Sequence, residues 1–152
     1  MKNFIKNRDF ILFSIIIFGV IVVGFANPYF VKPSSLSDVL TDTSILIILA
    51  LSQMIVILIR AIDLSVASNL ALSGMLISLL STVYPELPVV FFILLSCVIG
   101  TFLGVLNGVS IAILKVPFIV TTLGTLSIYR GLIYFVSDGK QVYSHEFSEN
   151  FL

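Results

Sequence analysis

The stretch from Arg60 to Asn69, Arg-Ala-Ile-Asp-Leu-Ser-Val-Ala-Ser-Asn, brings together a guanidinium, a carboxylate, two hydroxyls and a carboxamide between two long apolar runs. Charge at the centre of a bilayer is costly, so a polar knot between membrane-length segments sits at an interface or lines a polar cavity. Two readings of it stay open. In the structural one, Arg60 pairs with Asp63 in a short turn and the Asp63 carboxylate caps the next helix, accepting orphan N–H groups near the positive end of its dipole. In the other, Asp63, Ser65, Ser68 and Asn69 line the path of a polar solute.

Elsewhere, polar side chains within the apolar runs are sparse. Gln53, Asn69 and Asn107 are suited to hydrogen bonds across helices, whereas Thr121, Thr122 and Thr125 can bond their own i−4 carbonyls. Arg130 lies inside the last apolar run, about two turns from its end. Snorkelling outward and a buried structural or pathway role both fit it. Nothing here assembles into an enzyme. An intramembrane serine protease needs Ser and His on facing helices, and His145 falls beyond the last run; an aspartyl protease needs two membrane carboxylates, and only Asp63 is near one. One cysteine, Cys97, and one histidine make no metal cluster, and Cys97 reads as a small apolar residue. No catalytic residue, metal or cofactor is expected in this chain.

The elements that must hold these residues follow from composition. With 59% hydrophobic and only 11% charged residues, and a mean hydropathy of +1.18, the chain lacks the charge that a soluble surface needs. Its net charge of zero gives no reason to expect nucleic acid. About 20 helical residues cross a hydrocarbon core, and five runs reach or approach that length: 10–26, 43–59, 64–84, 88–114 and 117–136. They show no strand alternation, and helices satisfy their own backbone in lipid. The expectation is therefore an all-α, polytopic membrane bundle forming a single transmembrane domain over 1–152. Lys2, Lys6 and Arg8 ahead of Phe10–Ala26 resemble a signal peptide, but no clear small-residue cleavage site follows, so the run reads as a retained first span. The segment from Asn27 to Asp42 reads as the longest connection, while Pro85 to Pro88 and Lys115 to Pro117 are tight turns between antiparallel helices.

Gly100, Gly104 and Gly108 recur every fourth residue in the fourth run, and the third carries Ala67, Ala71, Gly74 and Ser78. Small residues at this spacing share a helix face and let another backbone approach, so these stripes are expected to pack the bundle.

Taken together, certain blocks resemble the permease subunits of bacterial ATP-binding-cassette sugar importers, the branched-chain and ribose-type permeases. Ile62-Asp-Leu-Ser-Val-Ala-Ser68 is similar to the family's G-I-D-L-S-V-G-S signature, and Leu106-Asn107-Gly108 to its Asn-Gly in the fourth span. Val116 to Thr125, Tyr129-Arg130-Gly131 and Gly139 look like its P-x-I-V-T-L-G-T…R-G…G run. Ala61 and Ala67 stand where the signature has glycine. The resemblance implies a permease component in the bacterial inner membrane, importing a monosaccharide or sugar-like signal of the ribose, rhamnose or autoinducer-2 class. It implies as partners an ATPase subunit that uses the ATP, a periplasmic sugar-binding protein, and a second permease subunit or C-terminal half. Asp63, Ser65, Ser68, Asn69, Asn107, Thr121 and Arg130 are the candidates for structural or pathway roles. Such permeases are about twice this length with about ten spans, so the chain is expected to be their N-terminal half, truncated after the fifth span. A small non-transporting membrane scaffold, or an inactive permease fragment, is the alternative.

Loop charge sets the orientation. With the N-terminus inside, Lys2, Lys6, Arg8, Arg60 and Lys115 are cytoplasmic and only Lys32 and Lys140 are outside. Five spans then put the C-terminus outside. Alkaline phosphatase fused after Leu152 should be active and a green fluorescent protein fusion there dark; the opposite pattern would sink the orientation or the odd number of spans.

Overall fold

Long apolar runs punctuated by proline and by left-handed residues produce helices with abrupt ends. The computed structural model describes residues 8–143, and every regular element among them is helical. Helix α1 is Arg8–Ala26, a 3-10 turn is Pro28–Val31, α2 is Pro33–Leu58, α3 is Val66–Val83, α4 is Val89–Ala112 and α5 is Phe118–Ser137. By length and composition α2, α3, α4 and α5 can each cross a membrane, while α1 carries the shorter apolar run Phe10–Ala26. Lys2, Lys6 and His145 lie outside the described residues.

The residues divide into two compact units, one ending at Ala50 and one beginning at Leu51, with α2 running through the division. In the first unit, Asn27 stops α1 and starts the 3-10 turn, its Oδ1 accepting the Tyr29 N–H at 3.1 Å. Ser35 Oγ donates back to the Tyr29 carbonyl at 2.8 Å, and Lys32 Nζ lies 3.6 Å from the centre of the Tyr29 ring. The serine- and proline-rich stretch that reads as a loop from Asn27 to Asp42 is thus mostly helix. Proline is tolerated in the first turn, where its missing N–H would have had no partner, and α2 opens on Pro33. The polar residues that follow do not break the helix because they bond within it: Thr41 Oγ1 donates to the Ser37 carbonyl at 3.0 Å and Ser44 Oγ to Thr41 at 2.7 Å. At 26 residues, α2 begins ten residues earlier than the apolar run at 43–59 suggests. The other four helices fall within two residues of the expected spans at each end.

In the second unit α3, α4 and α5 pack on one another around Leu72, Leu103 and Tyr129, with Leu76, Ile99 and Ile133 against them. The polarity is the reverse of a soluble core. Among the described residues six hydrophobic side chains are buried and eight polar ones, seven of which are Ser or Thr. Most large apolar side chains, such as Phe102, Ile128 and Phe135, point outward. That suits a lipid solvent, in which helices associate through small residues and interhelical hydrogen bonds because apolar burial gives no advantage. Three helices are followed within three residues by one in the left-handed region: Arg60 (φ 59°), Lys115 (φ 56°) and Asp138 (φ 52°). At the first two the chain turns back on itself, with Ala61 N–H bonded to the Val56 carbonyl at 3.1 Å and Val116 N–H to Ser110 at 3.1 Å. Arg60 and Lys115 thereby place a cation at the negative end of a helix dipole.

The Tyr129 hydroxyl, buried in this unit, donates to the Leu103 carbonyl at 2.8 Å and ties α5 to α4. Tyr129→Phe keeps the ring and removes that bond. It should lower stability by about 0.5–1.5 kcal/mol in reversible unfolding from detergent micelles; an unchanged midpoint would mean that the bond does not hold the two helices.

Candidate functional site

Between Leu58 and Val66 the chain leaves helical geometry inside the second unit. Arg60 makes the left-handed turn and is itself exposed, while Ala61 and Ser65 are buried at 3% and 1% exposure. Asp63 then folds back on the chain. Its Oδ1 accepts the Ser65 N–H at 2.8 Å and the Ser65 hydroxyl at 2.6 Å, an Asx-turn with a second bond added. The residue at the helix N-cap position is therefore Ser65, with no cap bond from its own side chain, and Asp63 stands two residues ahead of it. Among the described residues the Asp63 carboxylate accepts from Ser65 and not from Arg60. The expected Arg60–Asp63 pair is not formed. The left-handed turn assigns the two side chains separate roles, the cation at the end of α2 and the carboxylate organising the start of α3.

Other helices reach this break. From α4, Asn107 Nδ2 donates to Ser65 Oγ at 2.8 Å, in a position where Asn107 is 5% exposed. From α2, Gln53 Nε2 donates to the Asp63 carbonyl at 2.6 Å. From α5, Thr122 Oγ1 bonds the Phe118 carbonyl at 2.9 Å and lies 3.5 Å from the Ile62 carbonyl. Within α3, Ser68 Oγ returns to the Ser65 carbonyl at 2.7 Å. The direction of the central relay is fixed by chemistry. A carboxylate only accepts, so the Ser65 hydroxyl gives it its one proton and is left to accept from Asn107. Carboxylate, hydroxyl and amide thus form one chain, half-buried at Asp63 and buried at Ser65 and Asn107, and buried polar groups of this kind specify a structure only when their partners are in place. Among the described residues two buried side-chain atoms have no protein partner, Asn107 Oδ1 and Thr121 Oγ1.

The expected site residues distribute unevenly. Asp63, Ser65, Ser68 and Asn107 meet at the break. Asn69 sits one turn along α3, its Nδ2 3.4 Å from the Gly100 carbonyl and its Oδ1 accepting from Ser73 at 3.3 Å. Thr121 is buried on α5, and Arg130 is exposed on that helix, away from the break. Of the glycines, Gly100 faces α3, where an added Cβ would lie 3.8 Å from Ser73 Oγ and 3.9 Å from Asn69 Oδ1. Gly74, Gly104 and Gly108 have open space beside them. Glycines four apart drift round the helix by about 40° per step, so the far end of the stripe has rotated off the α3 contact. Gln53 and Thr122 are not among the expected site residues, yet both reach the break. Gln53 carries a signal, as a carboxamide alone in an aliphatic run, whereas Thr122 is indistinguishable in sequence from Thr125, which bonds only within its helix.

A groove of about 390 Å³ between α3, α4 and α5 is lined by apolar side chains, including Leu72, Leu103 and Leu132, and offers nothing that would recognise a hydroxyl. The polar chemistry of the second unit is concentrated at the break.

A family model described as branched-chain amino acid transport system / permease component matches residues 35–151. The autoinducer 2 import system permease protein LsrC of Enterobacter sp. (strain 638) is 36% identical over 144 residues, covering 93% of this chain and 41% of that protein. The ribose import permease protein RbsC of Haemophilus influenzae is 38% identical over 146 residues, covering 96% and 43% respectively. LsrC of Escherichia coli O9:H4 is 34% identical over 143 residues, covering 93% and 41%. The chain therefore spans about two fifths of the length of the curated relatives it matches. No solved structure matches it.

Coupling across the break is measurable. Ser65→Ala should leave the buried Asn107 amide without its acceptor and cost about 1–3 kcal/mol. Adding Asn107→Leu removes that amide together with its unpartnered oxygen, so the double variant should be more stable than Ser65→Ala alone. A double variant less stable than either single one in detergent unfolding would show that the relay does not link α3 to α4.

Proposed function

Because the chain belongs to the branched-chain amino acid transport system / permease component family, we propose that it forms part of the translocation pathway of an ATP-binding-cassette importer. Its cargo is a monosaccharide or sugar-like signal of the ribose, rhamnose or autoinducer-2 class. The observation that carries this reading is that relatives named as ribose and autoinducer 2 import permeases align with over nine tenths of the chain. The protein is a multi-pass membrane protein, proposed to have its N-terminus in the cytoplasm. In favour of that orientation, Arg60 and Lys115 follow the C-terminal ends of α2 and α4, two helices apart, and so fall on one side of a membrane that each helix crosses.

In this reading the chain does no covalent chemistry. It binds no cofactor; ATP is consumed by a separate ATPase subunit, and solute arrives from a periplasmic sugar-binding protein. A second permease subunit, or a further permease segment, completes the path. The break between α2 and α3 supplies a fixed bend where two spans meet at one end of the bundle. Non-helical backbone is tolerated there because side chains from the surrounding helices satisfy it. Alternating access then moves packed helices as bodies about such fixed points, with solute binding biasing the equilibrium between two states. Ser65, Asn107 and Thr121 are too buried to touch a solute, and the role of Ser65 and Asn107 is to hold the bend. Asn69, half-buried, is the nearest candidate to meet a sugar hydroxyl.

The test joins this chain to the remaining C-terminal part of an LsrC or RbsC relative, in a host deleted for its own permease but supplied with the binding protein and ATPase. ATP-dependent uptake of labelled ribose, rhamnose or autoinducer 2 should be restored, and Asp63→Leu should cut it by roughly tenfold or more while Asp63→Asn, which keeps the accepting oxygen, is mild. Uptake of leucine with none of the three sugars would replace the cargo class, and uptake of nothing, with the protein present in the membrane, would favour a non-transporting scaffold.

A further inference from the structure

The apolar groove between α3, α4 and α5 has a polar neighbour. The groove lies wholly in the second unit, and no polar side chain lines it. Toward the C-terminal end of α3 a second pocket is lined by Leu79, Thr82, Lys140, Gln141 and Val142. Leu72 and Leu76 of the groove and Leu79 of the pocket fall within about 60° of one another around α3, so the two lie end to end along one face. The chain after α5 reaches the pocket by a turn. Asp138 (φ 52°) and Gly139 (φ 70°) are both left-handed, and the Lys140 N–H bonds the Ser137 carbonyl at 2.9 Å, which brings Lys140 to the same pocket as Thr82 of α3.

Depth and size select what fits. The deepest lining residue on α3, Leu72, stands eleven positions before Val83, and on α4 Leu103 stands fourteen positions after Val89, about 17 and 21 Å of helix. One leaflet with its headgroups takes up about 20–22 Å. At that depth Leu72 and Leu103 pack on Tyr129 in the buried cluster, and the groove stops. A membrane helix crosses both leaflets, and one of its turns, about 10 Å across and about 5.4 Å tall, fills roughly 420 Å³; the whole groove holds about 390 Å³. An acyl chain occupies one leaflet and is narrow. At the other end, Tyr84, Tyr134 and Tyr143 are exposed, and tyrosine rings settle at headgroup level. There Lys140 carries three donors and the Gln141 amide two, both side chains exposed, while the Thr82 hydroxyl is spent on the Leu79 carbonyl at 2.8 Å. No carboxylate lines the pocket, and Glu86 and Asp138 stand at the same end of the unit outside it. Donors within and carboxylates around suit a headgroup that carries both a phosphate and an ammonium. We propose that groove and pocket together hold one zwitterionic phospholipid of the phosphatidylethanolamine class, its acyl chain between α3, α4 and α5 and its phosphate on Lys140 and Gln141. The inference rests on the chain being embedded in a membrane, and not on which solute it carries.

The experiment puts the full chain in phosphatidylglycerol nanodiscs with a trace of phosphatidylethanolamine that carries a photoactivatable diazirine at the end of one acyl chain, and maps the adducts by mass spectrometry. Adducts at Leu72, Phe102 and Leu103 should exceed those at Ile128, an exposed residue outside the groove that reports bulk lipid. Lys140→Gln should lower the groove adducts by about fivefold, the share of one lysine at a lipid surface, and leave Ile128 unchanged, while Lys140→Arg keeps them. Val98→Trp, at an exposed position on the groove wall, should remove them with the helix content unaltered. Unlabelled phosphatidylethanolamine should displace the probe, and a diacylglycerol with the same acyl chains, which lacks the phosphate, should not. Equal labelling of the groove and Ile128 would overturn the proposal, as would groove adducts indifferent to Lys140→Gln or equal displacement by the diacylglycerol. Groove residues that stay silent while Ile128 is labelled would also overturn it, since a protein segment would then fill the groove.

Discussion

Buried among packed helices, a backbone N–H or C=O has no water to turn to, so a helix can stop there only if protein groups replace its lost bonds. The interval between Leu58 and Val66 is where this chain meets that constraint, and the second unit is arranged around meeting it. Arg60 turns the backbone into the left-handed region and recovers carbonyls at the end of α2. Asp63 gathers the amide and hydroxyl of Ser65. Gln53 and Asn107 come in from α2 and α4. Remove the bend and Gln53, Ser65 and Asn107 are polar side chains without purpose in an apolar bundle; remove the side chains and the bend is a row of unsatisfied peptide groups.

The same constraint explains the inverted composition of the second unit. Leucine and phenylalanine gain little by leaving lipid for protein, so most remain outside, and beside the small cluster of Leu72, Leu103 and Tyr129 the contacts between α3, α4 and α5 fall to serine, threonine and one glycine. Tyr129 illustrates both needs at once: its ring fills the centre of the unit and its hydroxyl has a carbonyl to bond.

Much of this is legible in the order of residues. Apolar run length locates α1, α3, α4 and α5 closely, because lipid imposes a length and proline marks the limits. It places the start of α2 poorly, since Ser, Asp and Thr signal a loop in composition but bond locally within a helix when one is already forming. The cluster at 60–69 stands out as chemically unlike its surroundings, yet the partners of its charges do not. Arg60 and Asp63 stand three positions apart in sequence, which suggests a pair; a single left-handed φ sends them apart. Gly100, Gly104 and Gly108 look equivalent in sequence, and which of them meets a neighbour depends on the crossing of α3 and α4, which no local pattern encodes. Arg130 is plain to see as a charge in a span, while its orientation away from the bundle required the packing of α5 through Tyr129 and Thr122.

The central claim is that the break is a rigid, internally satisfied element and not a flexible loop. Residue-resolved hydrogen exchange in lipid nanodiscs addresses it at two amides, Ala61, bonded to the Val56 carbonyl, and Ser65, bonded to the Asp63 carboxylate. The account predicts that both are protected to the level of the middle of α3. Exchange of Ala61 and Ser65 as fast as that of an unstructured peptide, with α3 itself protected, would contradict it.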